Sequence, residues 1–219
     1  VLDLACGTAD LLLQLATLNL ETQFIGLDLS ESMLELARER CAERQLGNVR
    51  FLREDCRSLS SFADCSADVV TSTMAFHHLA NTEDLFETFR QINRILRPNG
   101  AIYIADFGLL RSHESMRLLS RQYADREDPV FIADYFNSLK AAFSVEELRS
   151  AASMIDKSPV VCSRSLFAPF MVLLRAGKKS PLPKLTERAL ASRRRQLALP
   201  YWRDYFLLRL LMNGRGGGI

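Results

Sequence analysis

Two adjacent histidines and one aspartate stand where a protein could move a proton. His77 and His78 follow an apolar segment that predicts a strand at 69–73, and Asp106 ends a second predicted strand at 101–106. In open α/β sheets, ligands bind outside the carboxyl ends of the strands, and histidine titrates near neutral pH. These three residues are therefore candidate general bases. The alternative for each histidine is that it packs in the core or caps the next helix.

A turn near the start of the chain predicts a ligand site made largely from backbone. Val1–Leu4 is a predicted buried strand, and the apolar run after Asp10 predicts a helix. Between them, Ala5, Gly7 and Ala9 keep bulky side chains out of the turn. A strand, a small-residue turn and a helix let a ligand approach the N–H groups at the helix N-terminus.

An acid at the end of the next predicted strand completes this pattern. The strand spans 23–28 and ends in Asp28, and an acid at that place can accept hydrogen bonds from both ribose hydroxyls of a nucleoside. The turn around Gly7 lacks the G-x-G-x-x-G spacing that surrounds a pyrophosphate, which argues against a dinucleotide.

The segments D-L-A-C-G-T-A-D and G-L-D-L-S resemble the class I S-adenosylmethionine-dependent methyltransferases. They are most similar to the small-molecule enzymes of the ubiquinone/menaquinone-biosynthesis type, and so are F-H-H-L at 76–79 and R-P-N-G at 97–100. Ala9 stands where the family has a glycine, and an alanine fits there if its φ is negative. The resemblance implies S-adenosyl-L-methionine as cofactor and S-adenosyl-L-homocysteine as product.

The resemblance also implies which residues hold that cofactor. An acid after the third strand, here Asp55, bonds the adenine amino group, and Met33 forms an apolar wall beside the ring. The alternative for Met33 is an ordinary place in the helix core. The expected cofactor residues are Asp3, Ala5, Cys6, Gly7, Asp28, Leu29, Met33, Asp55, Cys56 and Thr73. We expect no metal ion, because the sequence shows no set of ligands with metal-site spacing.

The order of predicted elements indicates an α/β, doubly wound sheet of seven strands. Strands are expected at 1–4, 23–28, 48–53, 69–73 and 101–106, with helices between them. The resemblance implies a Rossmann-like sheet whose last strand is antiparallel, in a closing hairpin at 160–165 and 170–175. Ser144 and Glu147 have capping-box spacing and predict the start of a helix at 145–153.

Residues 107–144 depart from this alternation and predict a helical insertion after strand five. Its two expected helices span 113–125 and 129–143. The resemblance implies that the insertion is a lid that shapes the acceptor pocket. The alternative is that its aromatic residues only dock the insertion on the body; these residues are Tyr123, Phe131, Tyr135, Phe136 and Phe143.

Composition and charge divide the chain into two parts. Its 219 residues are 48% hydrophobic and 25% charged, which is typical of a globular domain. From residue 175 onward, 11 Lys/Arg and 2 Asp/Glu give a net charge of +9, whereas 17 basic and 24 acidic residues before it give −7. We expect a methyltransferase domain at 1–176 and a basic, partly helical tail at 177–219.

The tail combines arginines with aromatic residues, which predicts peripheral contact with an anionic membrane or a protein partner. The alternative is a helix packed on its own domain or on a dimer mate. Five scattered cysteines indicate a reducing compartment, so we expect a cytoplasmic protein, membrane-peripheral through its tail. The first residues already form a core strand, and the resemblance implies helices before it that help to cover the cofactor.

These features predict methyl transfer to a small, hydrophobic acceptor. Two alternatives stay open. One is an RNA or protein methyltransferase whose basic tail binds the polymer, although a nucleic-acid partner is the weaker prediction. Members of the resembled family that methylate exocyclic amines of nucleobases often carry N/D-P-P-Y/F after strand four, and its absence here argues against methylation of adenine or cytosine amines in DNA. The other is a non-catalytic, methyltransferase-like scaffold.

Overall fold

A seven-stranded sheet forms the centre of the computed structural model, which describes residues 1–122, 127–166, 168–178, 184–196 and 202. The strand order is β3-β2-β1-β4-β5-β7-β6. The strands are β1 (Leu2–Leu4), β2 (Phe24–Asp28), β3 (Val49–Arg53), β4 (Ala67–Thr73), β5 (Leu96–Phe107), β6 (Val161–Arg164) and β7 (Met171–Ala176).

The first five strands are parallel, and the last two close the sheet in an antiparallel hairpin. β1 lies between β2 and β4, while β7 lies between β5 and β6 and is antiparallel to both. The predicted fold class is therefore confirmed. The strand order reverses between β1 and β4, and in such sheets the crevice at the reversal is where ligands bind.

Seven helices in the described part of the chain accompany the sheet. They are α1 (Asp10–Leu18), α2 (Glu31–Glu43), α3 (Thr82–Ile95), α4 (His113–Ser120), α5 (Pro129–Ala141), α6 (Val145–Ala152) and α7 (Lys184–Arg195). A single 3₁₀ turn, Phe76–His78, follows β4. The capping box predicted for α6 is present: the Glu147 N–H donates to Ser144 Oγ at 3.1 Å, and the Ser144 N–H donates to Glu147 Oε2 at 2.8 Å.

Two boundaries differ from the predictions by five residues each. β5 begins at Leu96 and not at residue 101, because Leu96 pairs with Ala67 before an irregularity, after which Ala101 pairs with Val69. α4 ends at Ser120, five residues before the expected end, where the Arg121 N–H donates to the carbonyls of Arg117 and Leu119 in a tightened last turn. Tyr123 and the rest of 123–126 lie outside the described residues.

Apolar side chains pack on both faces of the sheet. α3 and α6 cover one face with residues such as Phe89, Ile92 and Leu148. α1 and α2 cover part of the other face, around Leu12 and Phe24. The insertion forms its own apolar cluster, in which Met116 of α4 and Leu139 of α5 pack with Phe107 at the end of β5. Phe107 thus holds the insertion above the carboxyl ends of the strands.

The basic helix predicted in the tail lies beside the body of the protein. Arg193 Nη1 of α7 donates to Gln14 Oε1 of α1 at 3.2 Å. Residues 180–183 and most of 199–206, where the aromatic residues of the tail lie, fall outside the described residues. The domain boundary at residue 177 stays a prediction. Within the described ranges, no helix combines the length and the apolar character needed to cross a bilayer.

Candidate active site

A cavity of about 520 Å³ lies at the carboxyl ends of β1 to β4. Its walls come from the turn after β1, the ends of β2 and β3, the 3₁₀ turn after β4 and the first turns of α2 and α3. Seven of the ten predicted cofactor residues lie in these walls: Ala5, Gly7, Asp28, Leu29, Met33, Asp55 and Cys56.

The turn after β1 has a left-handed backbone at three alternate positions. The φ angles are 51° at Ala5, 53° at Gly7 and 60° at Ala9. The condition under which an alanine fits at position 9, a negative φ, is therefore not met: the Ala9 N–H folds back to the Cys6 carbonyl at 2.8 Å, and this tight turn places Ala9 in a conformation that costs an L-residue about 1–2 kcal/mol. A Cβ placed on Gly7 would meet no atom within 4 Å. The space beside Gly7 is therefore open to a ligand.

Asp28 ties this turn to the end of β2. Its Oδ2 accepts the Gly7 N–H at 2.8 Å, and its Oδ1 accepts the Ser30 N–H at 2.9 Å. Because a carboxylate oxygen can accept two hydrogen bonds, each oxygen keeps one position for a ligand. Asp28 can therefore accept two hydroxyl groups without releasing the turn.

Asp55 lies in the wall, but Arg57 engages both of its oxygens. The Arg57 guanidinium donates to Asp55 through Nε at 3.0 Å and Nη2 at 2.6 Å, and the Arg57 N–H donates to Oδ1 at 2.9 Å. These hydrogen bonds hold the pKa of Asp55 below its usual range. Arg57 Nη1 also reaches Asp84 of α3 at 3.0 Å.

The other three predicted cofactor residues, Asp3, Cys6 and Thr73, lie outside the cavity wall. Asp3 is buried and accepts the Thr71 hydroxyl at 2.6 Å, and its burial raises its pKa to about 6. The Cys6 side chain packs in the α1–α2 cluster, and burial raises the pKa of its thiol. Asp3 and Cys6 support the turn from behind, and Thr73 ends β4.

Asp106 and His77 form a buried pair behind the cavity. His77 Nδ1 lies 2.7 Å from Asp106 Oδ1, and the same carboxylate accepts the N–H groups of Ala75, Phe76 and Phe107 at 2.6–3.0 Å. Neither side chain lines the cavity. The pair therefore organises the 3₁₀ turn.

His78 is the histidine that lines the cavity. Its ring centroid lies 4.2 Å from that of His77. The pKa of His78 is lowered, chiefly by loss of hydration and then by His77, while Asp106, Asp134 and Asp28 oppose the shift. Consecutive histidines thus have different surroundings, because the short turn directs one ring to the core and the other to the cavity.

The insertion packs against the core side of the histidine turn through aromatic rings. Phe107 lies 5.2 Å from His77 and 5.4 Å from Tyr135 of α5, centroid to centroid, and Tyr135 lies 6.2 Å from Phe131. The rings thus dock the insertion on the body; its role as a lid stays a prediction.

Sequence reasoning missed three charged residues of the wall, Glu54, Arg57 and Asp84. The first two flank Asp55, so their proximity to it was a usable signal. Asp84 lies in the first turn of α3, where Asn81 caps its N–H at 2.8 Å. Only the packing of α3 against the β3 loop brings Asp84 to the cavity, and no local pattern indicates it.

Known proteins share part of this sequence. Residues 1–100 match the family described as "Methyltransferase domain". The ubiquinone/menaquinone biosynthesis C-methyltransferase UbiE of Azotobacter vinelandii is 36% identical over 125 residues, covering 56% of this chain and 46% of that protein. The demethylmenaquinone methyltransferase of Listeria monocytogenes is 36% identical over 107 residues, covering 48% and 44%. The chain spans about half the length of the curated relatives it matches.

Solved structures share the fold. The PH0226 protein from Pyrococcus horikoshii matches with a TM-score of 0.59 and 21% identity, over 81% of each chain. A SAM-dependent methyltransferase from Aquifex aeolicus matches with a TM-score of 0.55 and 17% identity, over 80% of this chain and 79% of that one. By its matched residues and its strand order, the chain is similar to the class I S-adenosylmethionine-dependent methyltransferases, and its curated relatives include enzymes of the ubiquinone/menaquinone type.

Proposed function

We propose that the protein transfers a methyl group from S-adenosyl-L-methionine to a small, hydrophobic acceptor and releases S-adenosyl-L-homocysteine. One observation carries the proposal: the Gly7 turn, Asp28 and His78 surround a single cavity at the reversal point of the sheet. The name of one relative refers to ubiquinone/menaquinone biosynthesis, and the name of the other refers to demethylmenaquinone. They support a quinone precursor as the acceptor.

The cavity suits the nucleoside part of this cofactor. The open space beside Gly7 admits a ligand next to the backbone, and Asp28 keeps an acceptor position on each oxygen for the two ribose hydroxyls. Leu29, Met33 and Leu79 provide apolar wall for a flat ring. We therefore place the ribose at Asp28 and the adenine between Met33 and the loop after β3.

The cofactor supplies a methyl group that is already activated on a sulfonium. The protein then contributes chiefly proximity, orientation and exclusion of water. His78 takes the proton where the acceptor must lose one, since its lowered pKa leaves the imidazole unprotonated at neutral pH. Asp106 and His77 are positioning residues, because they hold the turn that presents His78 to the cavity.

The insertion and the tail have separate roles in this proposal. α4 and α5 act as a lid over the acceptor, supported by the packing of Tyr135 on Phe107. The tail gives the protein a peripheral attachment to an anionic membrane, supported by the net charge of +9 from residue 175 onward. A cytoplasmic location fits the five free thiols.

Isothermal titration with S-adenosyl-L-homocysteine tests the cofactor site. Asp28→Ala should weaken binding by about 1–3 kcal/mol, because the ribose hydroxyls lose their partner. Asp68→Ala, at an exposed position near the start of β4, serves as the control and should bind like the wild type. Unchanged affinity in Asp28→Ala would refute the site. Mass spectrometry of extracts incubated with the protein and methyl-labelled cofactor would then identify the acceptor.

A further inference from the structure

We infer that Cys65 and Lys157 form an oxidative modification site, at which hydrogen peroxide joins the two side chains through one oxygen atom in a covalent N–O–S bridge. Lys157 Nζ lies 3.1 Å from Cys65 Sγ, although the two residues are 92 positions apart in the chain. Cys65 comes shortly before β4, and Lys157 comes shortly before β6. The pair therefore lies at the amino ends of the strands, at the opposite edge of the sheet from the cavity, and is separate from the proposed methyl transfer.

One carbonyl oxygen holds the amine and the cysteine together. The Arg94 carbonyl, in the last turn of α3, accepts the Cys65 N–H at 3.0 Å and Lys157 Nζ at 3.0 Å. Because a carbonyl oxygen has two lone pairs, it can accept both donors at once. The protein thus holds the lysine nitrogen next to the thiol, so close that one oxygen atom can bridge the two after a small movement of the lysine side chain.

The start of β5 fixes the backbone of both residues. Arg97 Nε donates to the Cys65 carbonyl at 3.2 Å, and the Asn99 N–H donates to the Lys157 carbonyl at 3.0 Å. Cys65 has a left-handed φ of 53°, a conformation that costs an L-residue free energy. These contacts hold Cys65 in that conformation and keep its side chain beside Lys157.

Cys65 is also the exposed cysteine of this chain. The others are buried or half-buried: Cys6, Cys41, Cys56 and Cys162. Oxidation of a thiol increases with its exposure to solvent, so peroxide in solution should reach Cys65 first. Cys65 therefore combines access to the oxidant with an amine close enough to react with the oxidised sulfur.

The bridge forms in two balanced steps, and each step consumes one hydrogen peroxide. In the first, the Cys65 sulfur bonds to a peroxide oxygen, the O–O bond breaks and water leaves, which gives a sulfenic acid. In the second, the Lys157 amine, after losing its ammonium proton to water, bonds through nitrogen to the sulfenic oxygen. The hydrogens displaced from nitrogen and oxygen, with two electrons, reduce the second peroxide to two waters. Sulfur and nitrogen are thus each oxidised by two electrons.

Peptide mass spectrometry of the full chain after peroxide treatment tests this inference. In the wild type, the peptides that contain Cys65 and Lys157 should be joined, with one oxygen gained and two hydrogens lost relative to their sum, and dithiothreitol should separate them. Lys157→Arg keeps the charge but removes the amine, so Cys65 should instead proceed to sulfinic and sulfonic acids. Lys140→Arg, at an exposed position on α5, is the matched control and should give as much bridge as the wild type.

Thermal unfolding measures the consequence of the bridge. A cross-link between residues 92 positions apart restricts the unfolded chain, so peroxide should raise the Tm of the wild type by about 5 °C or more. Dithiothreitol should reverse the rise, and Lys157→Arg should not show it; an equal rise in that variant would contradict a bridge at this lysine. Wild-type Cys65 that is oxidised to sulfinic acid without any joined peptides would overturn the inference, and so would a disulfide between Cys65 residues of two chains as the sole cross-link.

Discussion

His77 Nδ1 and Asp106 Oδ1 lie 2.7 Å apart, and the two side chains are only 3% and 4% exposed. Asp106 also accepts three backbone N–H groups of the surrounding turns. Asp106→Asn replaces one accepting oxygen by an NH₂ group, which faces N–H donors and cannot accept from them. We therefore expect the free energy of unfolding to fall by about 3 kcal/mol. Urea unfolding measures this change. Asp68→Asn, in a largely exposed ion pair with Arg97, should cost less than 1 kcal/mol, and equal losses in the two variants would contradict the argument.

His78 should carry the base role, and His77 should not. His78→Gln should lower kcat by about 10²-fold or more where the acceptor must lose a proton, with little change in cofactor affinity. His113→Gln, at an exposed position on α4, is the control and should keep full activity. Full activity in His78→Gln would remove the base from the mechanism and leave positioning alone.

The pH dependence of kcat/KM should report the protonation of His78. The pKa of His78 lies below its ordinary value of 6.5 because burial disfavours the charged form. The unprotonated imidazole is the active form, so kcat/KM should be level at pH 7 and fall only as the pH drops through the lowered pKa. This acid limb should disappear in His78→Gln. A limb that stays in that variant would assign it to another group.

Asp3 should make the protein less stable as the pH rises. Its folded-state pKa is about 6, raised from 3.8 mainly by burial, so the folded state binds the proton more tightly than the unfolded state. The free energy of unfolding should therefore decline between about pH 4 and pH 6 and stay level above, by a total of about 3 kcal/mol from this group. Asp3→Asn should flatten that decline in urea unfolding at pH 4.5 and 7.5. An unchanged slope would show that other groups cause it.

Replacing Gly7 by alanine should reduce both stability and ligand binding, although no atom crowds that position. Its φ of +53° is left-handed, and a Cβ there would point into open space. Gly7→Ala should lose about 1 kcal/mol of stability through backbone strain and also weaken binding of S-adenosyl-L-homocysteine, because the methyl group enters the ligand space. Gly47→Ala is the matched control, since its Cβ also meets nothing within 4 Å but its φ is not left-handed. If the two variants bind equally well, the ligand does not lie beside Gly7.

The basic tail should respond to anionic lipid. Each basic residue near such a surface contributes about 1 kcal/mol, and salt screens the attraction. Replacing Arg193, Arg194 and Arg195 of α7 by Gln should reduce co-sedimentation with anionic liposomes at low salt. A control with Arg44, Arg50 and Arg121 replaced by Gln removes the same charge from exposed positions elsewhere. Equal loss in both variants would assign any binding to total charge and not to the tail.

The amino-acid sequence by itself determined the fold class and the position of the site along the chain. Apolar segments of strand and helix length, together with local signals such as Ser144 and Glu147, depend on interactions between near neighbours. The acid at Asp28 and the small-residue turn around Gly7 indicated a nucleoside site for the same reason. Each signal lies within one βα unit, and the parallel order of strands then places the units at one edge of the sheet.

Only the tertiary structure decided the roles of individual side chains within that site. It placed His78 in the cavity and His77 against Asp106, some 29 residues away in the chain. It also engaged Asp55 with Arg57, left one oxygen of Glu54 without a donor, and set Ala9 in a left-handed conformation. These outcomes depend on hydrogen bonds between distant segments and on the burial of particular atoms. A pattern of residue types along the chain predicts neither the hydrogen bonds nor the burial.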